Sequence, residues 1–195
     1  GLGILEENRE PSLYQLLTNQ EFDVLSIKKT SIPKLDIISS SIDLAASEIE
    51  LAEIENREEV LKKILLKITG YDFIFIDCPP ALGLLTINGL VASKSVIIPL
   101  QCEFFALEGL SALTNTIDTI KSGLNSNIDL EGVVLTMFDK RNALSSLVEE
   151  DVRSHFKNKV YKTVIPRNVR VSEAPSHGKP VLLYDTQCAG SQAYI

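Results

Sequence analysis

Asp77, which ends a run of apolar residues, is the residue of this sequence that is best placed to take part in chemistry. The stretch YDFIFIDCPPALG, residues 71–83, contains five residues, 73–77, that resemble a short buried strand ending in Asp77. Ligands of α/β sheets bind beyond the carboxyl ends of the strands. A carboxylate there is placed to hold Mg²⁺ beside nucleotide phosphates, usually through water, as a Walker B acid does. The pattern alone equally allows Asp77 to cap the turn that follows.

Other reactive residue types are few and scattered. The three cysteines, Cys78, Cys102 and Cys188, are odd in number and contain no Cys-x-x-Cys pair. Neither a disulfide framework nor a zinc site is therefore indicated. His155 and His177 have no Ser, Cys or acid at a spacing that suggests a catalytic triad. The chemistry of the chain is thus expected to depend on Asp77.

Strand-like and helix-like segments alternate along the chain. The strand-like segments are short, β-branched and mostly apolar throughout, as in strands covered on both faces; they are residues 35–39, 73–77, 95–100, 130–138 and 160–166. The helical segments carry apolar residues three and four apart; they are residues 45–68, 84–93, 104–124 and 145–158. This order predicts a doubly wound, mainly parallel α/β sheet in a single domain over residues 1–195.

Composition and charge narrow the function classes. The 195 residues are 45% hydrophobic and 23% charged, as in a globular protein with a sizeable core. No apolar stretch reaches the roughly 18 residues that cross a bilayer, so we expect a cytoplasmic protein. The net charge is −7, yet residues 139–179 hold nine Lys or Arg against five Asp or Glu. Such asymmetry fits a local anion-binding face, or equally an ordinary solvated surface.

Longer stretches carry a family resemblance. The sequences YDFIFIDCPPALGLLTINGLVASKSVIIPLQCEFFALEGL, GVVLTMFDKR and VYKTVIPRNVRVSEAPSHGKPVLLYD occur in that order, preceded by LDIISSSIDLAASEIEL. They resemble the ParA/Soj family of chromosome- and plasmid-partitioning ATPases, relatives of MinD in the deviant Walker A group of P-loop NTPases. The resemblance implies a P-loop NTPase sheet, ATP and Mg²⁺ as cofactors, an ATP-dependent homodimer, nonspecific DNA binding, a ParB-type partner, association with the nucleoid and no membrane partner.

The resemblance also implies roles for individual residues. Asp77 matches the Mg²⁺-side Walker B acid. The loop that senses the γ-phosphate and contacts the dimer partner matches Cys78, Pro79, Pro80, Ala81 and Gly83, which could instead form only a rigid turn. The adenine would lie near Met137, Pro166, Arg167 and Asn168, although Met137 could equally fill the core. Nonspecific DNA contacts match Lys140, Arg141 and Arg170, which could otherwise be ordinary surface cations.

The sequence departs from the family at its phosphate loop. Neither KGGxGKT nor DxDPQGN is present, and no G-x-x-x-x-G-K-[ST] occurs in the 195 residues. Gly178 and Lys179 are followed by Pro180 and are not a displaced loop. We therefore expect an internal fragment, incomplete at both ends, that lacks the N-terminal strand, the P-loop and the second strand of the domain. These residues alone are expected not to hydrolyse ATP.

Two alternatives stay open from the sequence. A noncatalytic partition-like adaptor would truly lack the P-loop and would bind DNA or a partner protein through the remaining surface. A MinD-like positioning ATPase would carry an amphipathic C-terminal helix rich in basic and large apolar residues. The stretch VYKTVIPRNVRVSEAPSHGKP favours the ParA/Soj interpretation over the MinD-like one.

Overall fold

The computed structural model describes all 195 residues and divides them into two compact units. The amino-terminal unit comprises residues 4–94 and 120–128, and the carboxyl-terminal unit comprises residues 1–3, 95–119 and 129–195. The prediction of one domain over residues 1–195 stays a prediction. None of the helices has the length and apolar character needed to cross a bilayer.

Nine α-helices and four β-strands form along the chain, joined by 3₁₀ turns and loops. In order they are α1 Leu13–Asn19, β1 Ile27–Lys29, β2 Asp36–Ile38, α2 Ser47–Leu51, α3 Val60–Leu65, α4 Leu84–Ala92, β3 Ser95–Gln101, α5 Ala106–Gly123, β4 Asp129–Thr136, α6 Ala143–Phe156, α7 Val169–Glu173, α8 Val181–Tyr184 and α9 Ala189–Tyr194. The helical periodicity of residues 84–93, 104–124 and 145–158 is thereby confirmed as α4, α5 and α6.

The core of the amino-terminal unit lies among its first three helices. One apolar cluster of almost fully buried side chains consists of Leu16, Leu17, Leu51, Val60, Leu61 and Ile64. The helical segment predicted over residues 45–68 is interrupted between α2 and α3, where Asn56 adopts a left-handed conformation with φ 54°. Asparagine tolerates that conformation better than most residues, and the interruption lets both short helices face one core.

Two predicted strands of this unit differ from expectation. The segment 35–39 does form a strand, β2, but it pairs antiparallel with β1, with Ile27 opposite Ile38. The segment 73–77 forms no strand, and Phe73 and Phe75 are 79% and 83% exposed. A strand needs a neighbour to accept its ladder hydrogen bonds, and no residue of the chain pairs with this segment. The prediction of a strand covered on both faces was therefore wrong for residues 73–77.

Parallel pairing is confined to the carboxyl-terminal unit. Strands β3 and β4 run parallel, with Ser95 opposite Asp129 and Gln101 opposite Thr136 and one register shift between them. The segment 160–166 continues the parallel arrangement beside β4 through two isolated bridges, rather than as the full strand that was predicted. The buried side chains of these three segments are apolar: Ile98, Leu100, Val133, Leu135, Val160 and Ile165. Burial alternates along β3, where Ile98 and Leu100 are buried and Ile97 is 47% exposed, so the prediction of cover on both faces was wrong for this strand.

A buried amide fastens α4 to the rest of the amino-terminal unit. The Asn88 side chain is 1% exposed and accepts a hydrogen bond from the Leu61 amide at 3.0 Å. Its Nδ2 donates to the Arg57 carbonyl at 2.8 Å and to the Leu84 carbonyl at 3.1 Å. One side chain thus satisfies backbone groups before α3, within α3 and within α4 itself.

We expect Asn88→Ala to destabilise the protein by about 2–4 kcal/mol, because it leaves a buried donor and acceptors without partners and opens a small cavity. The free energy of unfolding from urea denaturation measures this. Asn115→Ala, at an exposed position of α5, is the matched control and should not destabilise. Equal urea concentrations at the midpoint of unfolding for Asn88→Ala and the wild type would contradict the role assigned to Asn88.

Candidate functional site

Asp77 lies at the end of the irregular segment 71–77 in the amino-terminal unit. Its side chain is exposed and takes part in no hydrogen bond or ion pair with a protein group. A free carboxylate is a hard oxygen ligand of the kind that Mg²⁺ prefers. No group of three His, Cys, Asp or Glu side chains in the 195 residues is placed to hold a metal. Asp77 would therefore hold a magnesium ion through water without a second protein carboxylate, since Mg²⁺ commonly keeps several waters and takes phosphate oxygens as its other ligands.

The loop 78–83 follows Asp77 and is held against the first turn of α4. The Thr86 hydroxyl is 4% exposed and lies 2.6 Å from the Ala81 carbonyl oxygen and 3.3 Å from that of Pro79. Pro79 and Pro80 have no amide hydrogen, so the loop offers few donors of its own. The carbonyl groups of the loop are consequently fixed by a side chain of the helix that follows it.

Cys78 packs against α4 through its sulfur. A β-carbon on Gly89 would lie 2.7 Å from the Cys78 Sγ, so a larger residue at position 89 would displace the Cys78 side chain. Cys78 is exposed at the surface of the loop, yet partial desolvation of its sulfur raises the pKa of the thiol, and the neighbouring Asp77 carboxylate raises it further. A thiol with a raised pKa is a poor nucleophile at neutral pH. Cys78 therefore contributes packing to the loop and is not an activated cysteine.

Glu48 of α2 contacts the same loop and was not singled out by the sequence. Its Oε1 accepts a hydrogen bond from the Leu85 amide at 3.0 Å, in the first turn of α4. A β-carbon on Gly83 would collide with this carboxylate, so Gly83 leaves it room. The acidic stretch around Glu48 is typical of a solvated helix face, so the sequence gives no local reason to single out this residue. One feature of the sequence could have pointed to a residue such as Glu48. Helix α4 begins after a glycine, which has no side chain to cap it, so the cap has to come from another segment.

The four residues predicted near the adenine lie in the carboxyl-terminal unit, three of them at neighbouring strand ends. The Arg167 amide donates to the Phe138 carbonyl at 3.0 Å, and the Phe138 amide donates to the Ile165 carbonyl at 3.1 Å. Met137 directly after β4 is therefore brought close to Pro166 and Arg167. Met137 has φ 53°, an uncommon conformation for a residue with a side chain.

Asn168 and Arg167 already have partners in the protein. Asn168 caps α7 by accepting a hydrogen bond from the Arg170 amide at 2.9 Å. The Arg167 guanidinium lies 3.4 Å from the Glu103 carboxylate, and both side chains are more than half exposed. An exposed pair of this kind stabilises little and exchanges easily for another anion.

Arg141 is held by its neighbour Asp139 in a two-point ion pair. The guanidinium Nε and Nη2 donate to the two Asp139 carboxylate oxygens at 3.0 and 2.9 Å. The Arg141 hydrogen bonds, from the side chain and then from the backbone amide, lower the pKa of Asp139 to about 2. The Arg141 side chain is nevertheless 89% exposed, so it stays accessible to an anion from solvent.

The other two predicted DNA contacts differ from each other. The Arg170 guanidinium pairs with Glu173 at 2.9 Å and with Asp185 at 3.5 Å. Lys140 is exposed and forms no ion pair with any other residue of the chain. Asp139 and Glu173 were not predicted as partners, because acid residues two or three positions from an arginine occur in many sequences without an ion pair. Asp185 was not predicted because it is distant from Arg170 in the sequence.

A family model described as an AAA domain matches residues 1–130. The chromosome partitioning protein ParA of Caulobacter vibrioides is 52% identical over 198 residues, which cover all of this chain and 74% of that protein. The sporulation initiation inhibitor protein Soj of Bacillus subtilis is 51% identical over 196 residues, covering all of this chain and 78% of that protein.

A solved structure gives the fold. A crystal structure of cobyrinic acid a,c-diamide synthase from Mycobacterium smegmatis with bound ADP and magnesium matches with a TM-score of 0.81 at 31% identity, covering 99% of this chain and 71% of that one. The predicted α/β fold of P-loop NTPase type is confirmed by this similarity. The relatives and the fold agree with each other, and the chain belongs to the ParA/Soj family of chromosome-partitioning ATPases.

Proposed function

We propose that this protein is a partitioning ATPase that segregates chromosome or plasmid DNA. In this proposal ATP drives dimerisation, the dimer binds DNA without sequence preference on the nucleoid in the cytoplasm, and a ParB-type protein is its partner. The observation that carries the proposal is the exposed, unpartnered Asp77 carboxylate followed directly by a loop fixed to α4. The name of the Caulobacter vibrioides relative, a chromosome partitioning protein, supports it.

Asp77 is proposed to hold Mg²⁺ through water beside the phosphates of ATP. When bound, the ion would neutralise charge that develops on the transferred phosphoryl group. The protein's own contribution at this point is a carboxylate with no competing partner, so that binding the ion breaks no existing hydrogen bond. The loop 78–83 is proposed to respond to the γ-phosphate and to contact a second copy of the chain.

Hydrolysis in this proposal also needs a phosphate loop. The 195 residues contain no G-x-x-x-x-G-K-[ST], and backbone amides and a lysine around the phosphates supply much of the stabilisation in P-loop enzymes. We therefore propose that the 195 residues alone are inactive and that activity belongs to a polypeptide that also carries such a loop. Met137, Pro166, Arg167 and Asn168 are proposed to surround the adenine, with the Met and Pro side chains as an apolar surface.

In the full-length product of the gene, Asp77→Ala is expected to lower Mg²⁺-dependent ATP hydrolysis by about a hundredfold or more, because several kcal/mol of charge stabilisation depend on the ion. Steady-state phosphate release measures the effect. Asp72→Ala, which removes an exposed carboxylate from the same segment, is the matched control and should retain activity. Turnover by Asp77→Ala equal to that of the wild type would remove Asp77 from the magnesium site.

The proposed DNA contacts have the chemistry that nonspecific binding needs. Arg141 presents an exposed guanidinium, and Lys140 beside it presents an unpaired ammonium. Both can pair with phosphate oxygens, and neither reads bases from such a contact. Because Asp139 already occupies two donors of Arg141, a DNA phosphate has to share or displace that carboxylate. The Arg170 guanidinium is likewise already paired with a carboxylate, that of Glu173.

We expect Arg141→Ala to weaken binding to unrelated DNA duplexes by a similar factor for each and to reduce the slope of log K against log salt by about 1. Binding titrations with ATP at several salt concentrations measure both quantities. Lys67→Ala removes one exposed positive charge from the amino-terminal unit and should leave the slope unchanged. An unchanged slope for Arg141→Ala would show that Arg141 is an ordinary surface residue and not a DNA contact.

A further inference from the structure

We propose that Glu48 is a positioning residue for the loop 78–83 and links α2 to the candidate nucleotide-sensing loop. The inference rests on the proposed function in that the loop is assigned to nucleotide sensing there. The link itself is visible as one contact, the hydrogen bond from the Leu85 amide to Glu48 Oε1 at 3.0 Å. It joins residues that are 37 positions apart in the chain.

The contact satisfies a requirement of α4 that the loop cannot satisfy. The first four amides of an α-helix have no partner within the helix, and a side chain of the preceding residue often accepts from one of them. In α4 that residue is Gly83, which has no side chain. Glu48 supplies the missing acceptor, and its negative charge lies at the helix end where an anion is favoured.

Gly83 is the steric counterpart of Glu48. A β-carbon at position 83 would overlap the Glu48 carboxylate, so a larger residue at the point where the loop becomes α4 would displace that carboxylate from its present place. The two residues therefore act together: because Gly83 has no side chain, the Glu48 carboxylate can occupy the space beside its α-carbon. The sequence shows them as unrelated residues in two segments.

Glu48 acts from a fixed support. Its neighbours Ser47 and Leu51 in α2 are fully buried, and Leu51 belongs to the apolar cluster of the amino-terminal unit. The opposite side of the same region is in solvent, where Ile42 and Ile49 are 94% and 78% exposed. Helix α2 is thus packed into the core, and Glu48 on this helix forms a hydrogen bond with the start of α4. Movement of residues 42–51 would pass through this contact to the loop.

Three variants test the link in the 195-residue protein without nucleotide. Glu48→Ala removes the acceptor, Glu48→Gln keeps an acceptor of the same size without the charge, and Gly83→Ala displaces an intact Glu48. Glu50→Ala is the matched control, because Glu50 is in the same helix and accepts only from the exposed Tyr14 hydroxyl, at 2.8 Å. The two readouts are hydrogen exchange of the Leu85 amide and the rate of Cys78 modification, located by mass spectrometry.

Glu48→Ala and Gly83→Ala are expected to accelerate both readouts about fivefold, the value for loss of one helix cap. Glu48→Gln is expected to restore both rates to within about twofold of the wild type, and Glu50→Ala to leave them unchanged. A variant that had lost its fold would accelerate exchange throughout the chain, and Glu48→Gln would not rescue it. Wild-type rates in Glu48→Ala would overturn the inference.

The link and the proposed function fail in different ways. If Glu48→Ala frees the loop but the full-length protein binds no nucleotide, Glu48 positions the loop and the assignment of the loop to nucleotide sensing is wrong. If the full-length protein hydrolyses ATP and Glu48→Ala changes neither readout, the ATPase proposal stands and the link is overturned. If both hold, Glu48→Ala should lower kcat and leave KM for ATP within about twofold, since the nucleotide contacts are not altered.

Discussion

The unpaired amides at the start of α4 are the constraint on which the candidate site depends. The residue before this helix is Gly83, which cannot cap it, and Pro79 and Pro80 limit the donors that the loop can offer. Two side chains compensate: Thr86 binds the loop carbonyls from within α4, and Glu48 binds the Leu85 amide from α2. Asn88, further along the same helix, secures α4 to α3. A short loop next to an exposed acid is thereby given one defined position by buried or partly buried hydrogen bonds.

The carboxyl-terminal unit uses charge differently. Its candidate DNA-contacting arginines, Arg141 and Arg170, are accessible, yet each is paired with a carboxylate close to it in sequence. Such exposed pairs contribute little to stability and are screened by salt. They also lower the local positive field around each arginine. In the proposed function, a DNA phosphate would share or replace these carboxylates, which suits a contact that is independent of sequence.

Much of the local structure followed from the sequence, and its failures have physical reasons. Helices α4, α5 and α6 were predictable because their apolar spacing continues over several turns, and β3 and β4 because each contains a short run of apolar, mostly β-branched residues. Residues 73–77 carry the same apolar signal, but a strand exists only with a neighbour, and periodicity does not supply one. The loop 78–83 was indicated by the family resemblance of its residues. Glu48 was missed because its partner is an amide 37 residues away, which no local pattern encodes.

The most direct test of this account is the rate of Cys78 modification in the full-length product of the gene, with and without Mg²⁺ and ATP. Cys78 lies in the loop directly after Asp77 and packs against α4, so its reactivity reports the position of the loop. We predict that Mg²⁺ and ATP together slow the modification of Cys78. This protection should be lost when Mg²⁺ is chelated and in Asp77→Ala. A protein that binds ATP with Mg²⁺ while Cys78 reacts at an unchanged rate would contradict it.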